Sequence, residues 1–77
     1  MREVLYKIIS DVFNVSESMI NKDSSPDTIP GWDSLKHINL VLALEQEFEI
    51  QFSEEQIINL LNVELIEETL KEHDINF

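Results

Sequence analysis

Residues 31–35 read Gly31-Trp32-Asp33-Ser34-Leu35, and the apolar series running on from them is Leu35, Ile38, Leu40, Val41, Leu42, Leu44 and Phe48. The five residues place a serine hydroxyl where a long loop turns into a helix. A serine or aspartate there has an ordinary explanation, because both residues cap helices. It also has a chemical one. The first turn of a helix holds unpaired N–H groups and a partial positive charge, so it favours an attached phosphate. The rest of the chain has to decide between the two.

Residues 34–48 are predicted to be helical, capped by Asp33 or Ser34. Their apolar positions cover well over half the circumference, which predicts a central helix with neighbours on more than one side. Lys36, Asn39, Ala43, Gln46 and Glu47 form its wettest strip. Upstream, residues 14–33 lack periodicity and contain Pro26, Pro30 and the only glycine, Gly31. A connection of about 20 residues is long for so small a domain, and such loops are usually functional or disordered. Val15, Met19, Ile20 and Ile29 are its expected anchors, and Ser16 can cap a short turn. Before it, residues 3–13 carry Leu5, Ile8, Ile9 and Val12 at i, i+3, i+4 and i+7, one apolar stripe of a helix widened by Val4 and Phe13.

Downstream, Ser53-Glu54-Glu55-Gln56 has the form of a capping box and opens a short helix with Ile57, Ile58, Leu60 and Leu61. Asn62 can cap a last helix, with Glu64 in its first turn, a stripe of Val63, Ile66 and Leu70, and Leu65 alongside. Ile75 and Phe77 close the chain. No alternating pattern is long enough for a strand. The expectation is an all-α bundle of three main helices plus one short helix, forming a single domain over residues 1–77 without internal repeats.

Sixteen acidic residues face five basic ones, for a net charge of −11. That balance argues against nucleic acid or an anionic membrane surface as partner. It suits partners with basic patches, although acidity also serves solubility alone. No apolar run approaches membrane-spanning length, and Met1-Arg2-Glu3 leads into an amphipathic pattern rather than a signal peptide. A monomer in a bacterial-type cytoplasm, or an organelle of similar chemistry, is the expectation. The absence of cysteine excludes disulfides, a thiolate nucleophile and cysteine-based zinc sites. His37 and His73 are too few for a zinc site without carboxylate help, so no metal is expected.

With Asp33-Ser34-Leu35 at its centre, followed by Ile38, Leu40, Val41, Ala43, Leu44, Glu45, Glu47, Phe48, Ile50, Phe52 and the Ser53-Glu54-Glu55 helix start, the chain resembles the acyl and peptidyl carrier proteins along nearly its whole length. The resemblance implies an acyl-carrier-like bundle. It implies that a phosphopantetheinyl transferase moves the 4'-phosphopantetheine of coenzyme A onto Ser34. The carrier then holds acyl or aminoacyl groups as thioesters and presents them to acyl- or aminoacyl-transferring enzymes with basic docking patches. Physical chemistry agrees. A phosphodiester is favoured at an exposed helix N-terminus by roughly 0.3–1 kcal/mol, and a chain without cysteine can do thioester chemistry when the thiol arrives on a cofactor.

The rivals are weaker. Trp32 interrupts a Gly-Asp-Ser-Leu esterase motif, and Lys36 stands where a Gly-x-Ser-x-Gly elbow needs its last glycine. His37, three residues on along the same helix, is poorly placed for a triad. The chain is therefore read as a non-catalytic carrier. Asp23 to Asp27 lacks calcium-loop spacing and is interrupted by Pro26. An acidic helical interaction module without covalent modification is the alternative from a different class.

Several residues near the motif have two readings. Asp33 is first an N-cap; the resemblance adds contact with the transferase or its metal. Leu35 and Leu42 share a stripe two turns long, for which core packing is the ordinary reading. The resemblance favours exposure of Leu35 toward partners and leaves Leu42 open. Glu45, Glu47, Glu49, Glu54 and Glu55 are a solvated face or a docking surface, worth about 0–1 kcal/mol per exposed pair and so suited to steering. Trp32 anchors the loop with partial burial or meets partners. His37 is expected to be packed or half-exposed. Lys36, His37 and Asn39 stand where carriers of fatty acid synthesis often have acidic residues, which points to a specialised pathway: polyketide, aminoacyl or surface-glycan acyl transfer.

Self-repulsion of an excess of acidic groups lowers stability at low ionic strength. Thermal unfolding followed by circular dichroism should give a melting temperature that rises from low to moderate salt and rises again with divalent cations; a fall would contradict this.

Overall fold

The computed structural model describes residues 2–75. Their elements are α1 (Arg2–Phe13), a 3-10 turn at Glu17–Met19, α2 (Ser34–Phe48), α3 (Glu54–Ile58) and α4 (Val63–Glu72). Every regular element among the described residues is helical, as the periodicity requires. Phe77, expected to help close the chain, lies outside the described residues. No described helix is long and apolar enough to cross a membrane.

The helix starts follow side-chain chemistry. Ser16 caps the 3-10 turn, Asp33 caps α2, and Ser53 and Gln56 complete a reciprocal capping box on α3. The Asn62 Oδ1 accepts the Leu65 N–H at 2.8 Å to cap α4. The helix ends share a device that the sequence patterns did not suggest. Asn14, Glu49 and Asp74 follow α1, α2 and α4 with φ of 55°, 54° and 67°. The next residue in each case, Val15, Ile50 or Ile75, returns its N–H to the carbonyl five residues back, on Ser10, Glu45 or Leu70. Those three apolar residues also pack against the core. This is a left-handed stop sealed by a hydrophobic contact. It is made without glycine, since the only glycine is spent elsewhere.

One core joins the elements. Leu5, Ile9 and Phe13 come from α1, Leu40, Val41 and Leu44 from α2, and Val63, Ile66 and Leu70 from α4. Phe52 and Leu60 flank α3. Glu67 on α4 is buried and receives the Arg2 Nε–H at 2.9 Å, tying the last helix to the first. Burial, then the Glu67 carboxylate, raises the nearby Tyr6 phenol above its ordinary value.

Two expectations about packing are corrected. α2 buries only Leu40, Val41 and Leu44, while Leu35, Ile38 and Leu42 stand in solvent. Its wide apolar arc is two stripes, one covered and one not, so breadth of hydrophobicity did not mean neighbours on every side. Met19, expected to anchor the long loop, is exposed; Ile20, Ile29 and Trp32 are the buried anchors.

That loop is a chain of small polar turns. Ser24 Oγ accepts the Asn21 N–H, Asn21 Oδ1 the Asp23 N–H, and Thr28 Oγ1 the Ser25 N–H. It docks on α4 by backbone: the Val63 and Glu64 N–H groups donate to Ser24 and Lys22 carbonyls at 3.0 and 2.9 Å. First-turn N–H groups have no partner within their own helix, so the loop satisfies the start of α4 while gaining a fixed path toward Trp32.

Glu49 combines a left-handed backbone with a carboxylate at the negative end of α2. Each is unfavourable. Glu49→Gly should stabilise the fold by about 1 kcal/mol in urea unfolding, with an unchanged m-value. No gain, or a loss, would show that neither penalty operates there.

Candidate functional site

The start of α2 is shaped by a turn at residues 29–32. The Trp32 N–H reaches the Ile29 carbonyl at 3.4 Å, and Gly31 has φ of +83°. Pro30 and Gly31 thus occupy the central positions of a type II turn, where proline suits the first and positive φ the second. A Cβ at residue 31 would meet no atom within 4 Å, so only backbone conformation, not crowding, requires glycine. The turn drives Trp32 inward. Its ring lies 4.9 Å from Phe13 of α1, centroid to centroid, and is only 8% exposed.

One residue later the chain is back in solvent. Asp33 is extended and caps α2: its Oδ1 accepts the Lys36 N–H at 2.9 Å, and its carbonyl accepts the His37 N–H at 2.8 Å. Ser34 is the first helical residue and is exposed. Its hydroxyl makes no hydrogen bond to a described residue. It opens beside a groove of about 490 Å³ between the start of α2 and α3. Ile38, Ile57, Ile58, Leu60 and Leu61 line its aliphatic part, and Pro26, Trp32, Asp33 and His37 complete the lining.

His37 does not stand by as a base for Ser34. The indole N–H of Trp32 donates to its Nδ1 at 3.0 Å, and its Nε2 lies 2.9 Å from the Ile57 carbonyl. Both ring nitrogens are engaged. An exposed, unactivated hydroxyl at the positive end of a helix suits a group attached by another catalyst and carrying a phosphodiester. It does not suit a nucleophile that works in place. The open groove leaves room for a flexible substituent.

The remaining site residues separate clearly. Asp33, Ser34 and Leu35 come together as expected, with Leu35 70% exposed. Leu42 is 58% exposed, two turns along the same face. Glu47, Glu54 and Glu55 are exposed. Two expected partner contacts are corrected. Trp32 is turned into the core by the turn before it and offers little surface to a partner. Glu45 is half-buried, and its Oε2 accepts the Phe52 N–H at 2.8 Å, so it secures the link from α2 to α3. Ile38, Ile58 and Leu61, read in the sequence as bundle-forming apolar residues, are exposed and line the groove beside Ser34, and Ile38 shares a face of α2 with Leu35 and Leu42. Their i, i+3, i+7 spacing on α2, Leu35, Ile38, Leu42, was a visible second stripe.

Fold and site together describe a small helical bundle with an exposed serine at a helix start. Comparison with known proteins agrees. A family model for the phosphopantetheine attachment site matches residues 3–70. The solution NMR structure of a holo acyl carrier protein from Geobacter metallireducens is similar, with a TM-score of 0.73 and 25% identity over 97% of this chain and 92% of that one. The chain belongs to the phosphopantetheine-binding family of acyl carrier proteins, and its prosthetic group is 4'-phosphopantetheine. Carriers of this family are generally non-catalytic and work with transferases and acyl-handling enzymes.

Asp33→Ala should destabilise the protein by about 0.5–2 kcal/mol in chemical denaturation, because the Lys36 N–H loses its acceptor. Asp33→Asn should retain most of that stability, since asparagine caps equally well. Equal losses for both would assign the effect to charge rather than capping.

Proposed function

We propose that Ser34 is the attachment residue and that residues 1–77 act as one carrier domain, holding acyl or aminoacyl groups as thioesters on the arm. The observation that carries this reading is the exposed, unbonded Ser34 hydroxyl at the first position of α2, within the span matched by the family. Asp33 fixes the backbone on which that hydroxyl sits. The helix N-terminus favours the negative phosphodiester. When bound, phosphopantetheine supplies the thiol that this cysteine-free chain lacks.

Presentation to partners follows from the surface. Leu35, Ile38 and Leu42 form an apolar strip beside the serine, and Glu47, Glu54 and Glu55 bring negative charge to the far end of α2 and the start of α3. We read the strip as the contact and the carboxylates as the steering element for enzymes with basic patches, the phosphopantetheinyl transferase first among them. Lys36 and Asn39 are exposed on the same helix. They make its first turns less acidic than a housekeeping fatty acid carrier favours, which supports a specialised pathway. The reading is of a cytoplasmic monomer that engages neither nucleic acid nor membranes.

Incubation with coenzyme A and a broad-range phosphopantetheinyl transferase should raise the intact mass by one phosphopantetheine. Ser34→Ala should abolish the increase while keeping the helical circular dichroism spectrum. Full modification of Ser34→Ala would overturn the assignment, as would an unmodified wild-type chain beside a modified control carrier.

A further inference from the structure

α3 is held in an unusual way. None of its five residues is buried, and Ile58 is 70% exposed. Ile57 packs partly on the core, and the buried Phe52 and Leu60 bracket the helix, so apolar contact holds its flanks more than its own residues. Hydrogen bonds from two histidines meet its two ends as well. At the first end, Gln56 Oε1 accepts the Ser53 N–H at 3.0 Å and lies 3.1 Å from His73 Nε2 on the α4 side. The Gln56 amide also donates to Glu72 Oε1 at 3.1 Å. At the last end, the Ile57 carbonyl lies 2.9 Å from His37 Nε2.

The protonation of His37 follows from its partners. An indole N–H can only donate, so the His37 Nδ1 facing Trp32 must be the acceptor. The proton of the neutral ring then lies on Nε2, where it donates to the Ile57 carbonyl. The Trp32 ring is itself fixed by burial against Phe13. A continuous series thus runs from the core through Trp32 and His37 to Ile57 of α3, and all three residues line the groove beside Ser34.

We infer that His37, held as its Nε2–H tautomer by the buried Trp32 indole, is a latch that keeps α3 against the start of α2 and sets how far the groove beside Ser34 stands open. His37 is a positioning residue. Its consequence for an arm on Ser34 rests on the function proposed above; the latch itself does not, and it is tested on the unmodified chain. Opening α3 requires breaking the His37–Ile57 bond while Trp32 stays in the core, so the movement is local. Trp32 therefore serves α3 as well as the loop, which accounts for a buried indole whose N–H points away from the core toward a side chain.

The test uses the full-length unmodified protein, isotope-labelled, at neutral pH. Long-range nitrogen–proton correlation should show His37 with a protonated Nε2 and a pyridine-like Nδ1. A dominant Nδ1–H form, or averaging of the two, would overturn the latch. His37→Phe keeps an aromatic ring but removes both bonds. Amide exchange at Ile57 and Asn59, whose N–H groups bond within α3, should then rise roughly fivefold or more, the factor expected for loss of a net hydrogen bond. The amides of α1 and α4 should hold. Unchanged α3 exchange, or an equal rise in every helix, would refute a local role.

Trp32→Phe is the second variant. It retains a ring against Phe13 and deletes only the indole N–H, so the His37 tautomer should become mixed and α3 exchange should rise less than in His37→Phe. The double variant should be no faster at α3 than His37→Phe alone. Additive increases would mean that Trp32 and His37 act separately, against the proposal. Because no modification is involved, failure of the latch would leave the Ser34 assignment standing, and failure of Ser34 to be modified would leave the latch intact.

Discussion

The arrangement depends on a reversal made within two residues. Trp32 is sealed in the core, and Ser34 is in solvent at the first turn of α2. The Pro30-Gly31 turn and the extended Asp33 cap accomplish the crossing. If Trp32 left the core, the start of α2 would lose its fixed point against α1, and the serine would no longer sit at a defined height above the bundle. The buried indole and the exposed hydroxyl are two consequences of one backbone path.

α2 shows how a small domain divides its apolar residues. Leu40, Val41 and Leu44 are covered, while Leu35, Ile38 and Leu42 are left in water. Each large aliphatic side chain left outside forgoes about 1.5–3 kcal/mol of burial. A domain of this size has a net stability on the order of 5–10 kcal/mol, so the exposed strip is a large concession. Exposed apolar strips of this kind mark surfaces that meet other molecules. A net charge of −11 sets up a field that, as a general rule, favours solubility and attracts basic groups over longer range.

The long loop and α3 solve a related problem by polar means. The loop adds to its buried anchors Ile20, Ile29 and Trp32, and α3 to its partly packed Ile57, a set of specific hydrogen bonds: loop carbonyls on the first N–H groups of α4, and histidine nitrogens on Gln56 and Ile57 of α3. Hydrogen bonds of this kind contribute about 0.5–1.5 kcal/mol each. They position an element without locking it, beside the exposed Ser34.

Much of this was legible in the sequence for local reasons. The stripe of Leu5, Ile9 and Phe13, the caps at Ser16, Asp33, Ser53 and Asn62, and the exposed Ser34 at a helix start all depend on residues within about one or two helical turns of each other. The left-handed stops at Asn14, Glu49 and Asp74 were not read from the sequence; they go with Val15, Ile50 and Ile75 packing on the core, which no local pattern announces. What only the tertiary structure decided was which of the two apolar stripes of α2 is covered, that Trp32 points in, that Glu45 bonds to Phe52 instead of facing partners, and that His37 spans to Ile57, twenty residues away in the chain. Periodicity states which side chains share a face. Whether that face meets protein or water is settled by elements distant in sequence, whose placement minimises the free energy of the whole bundle and not of any one segment.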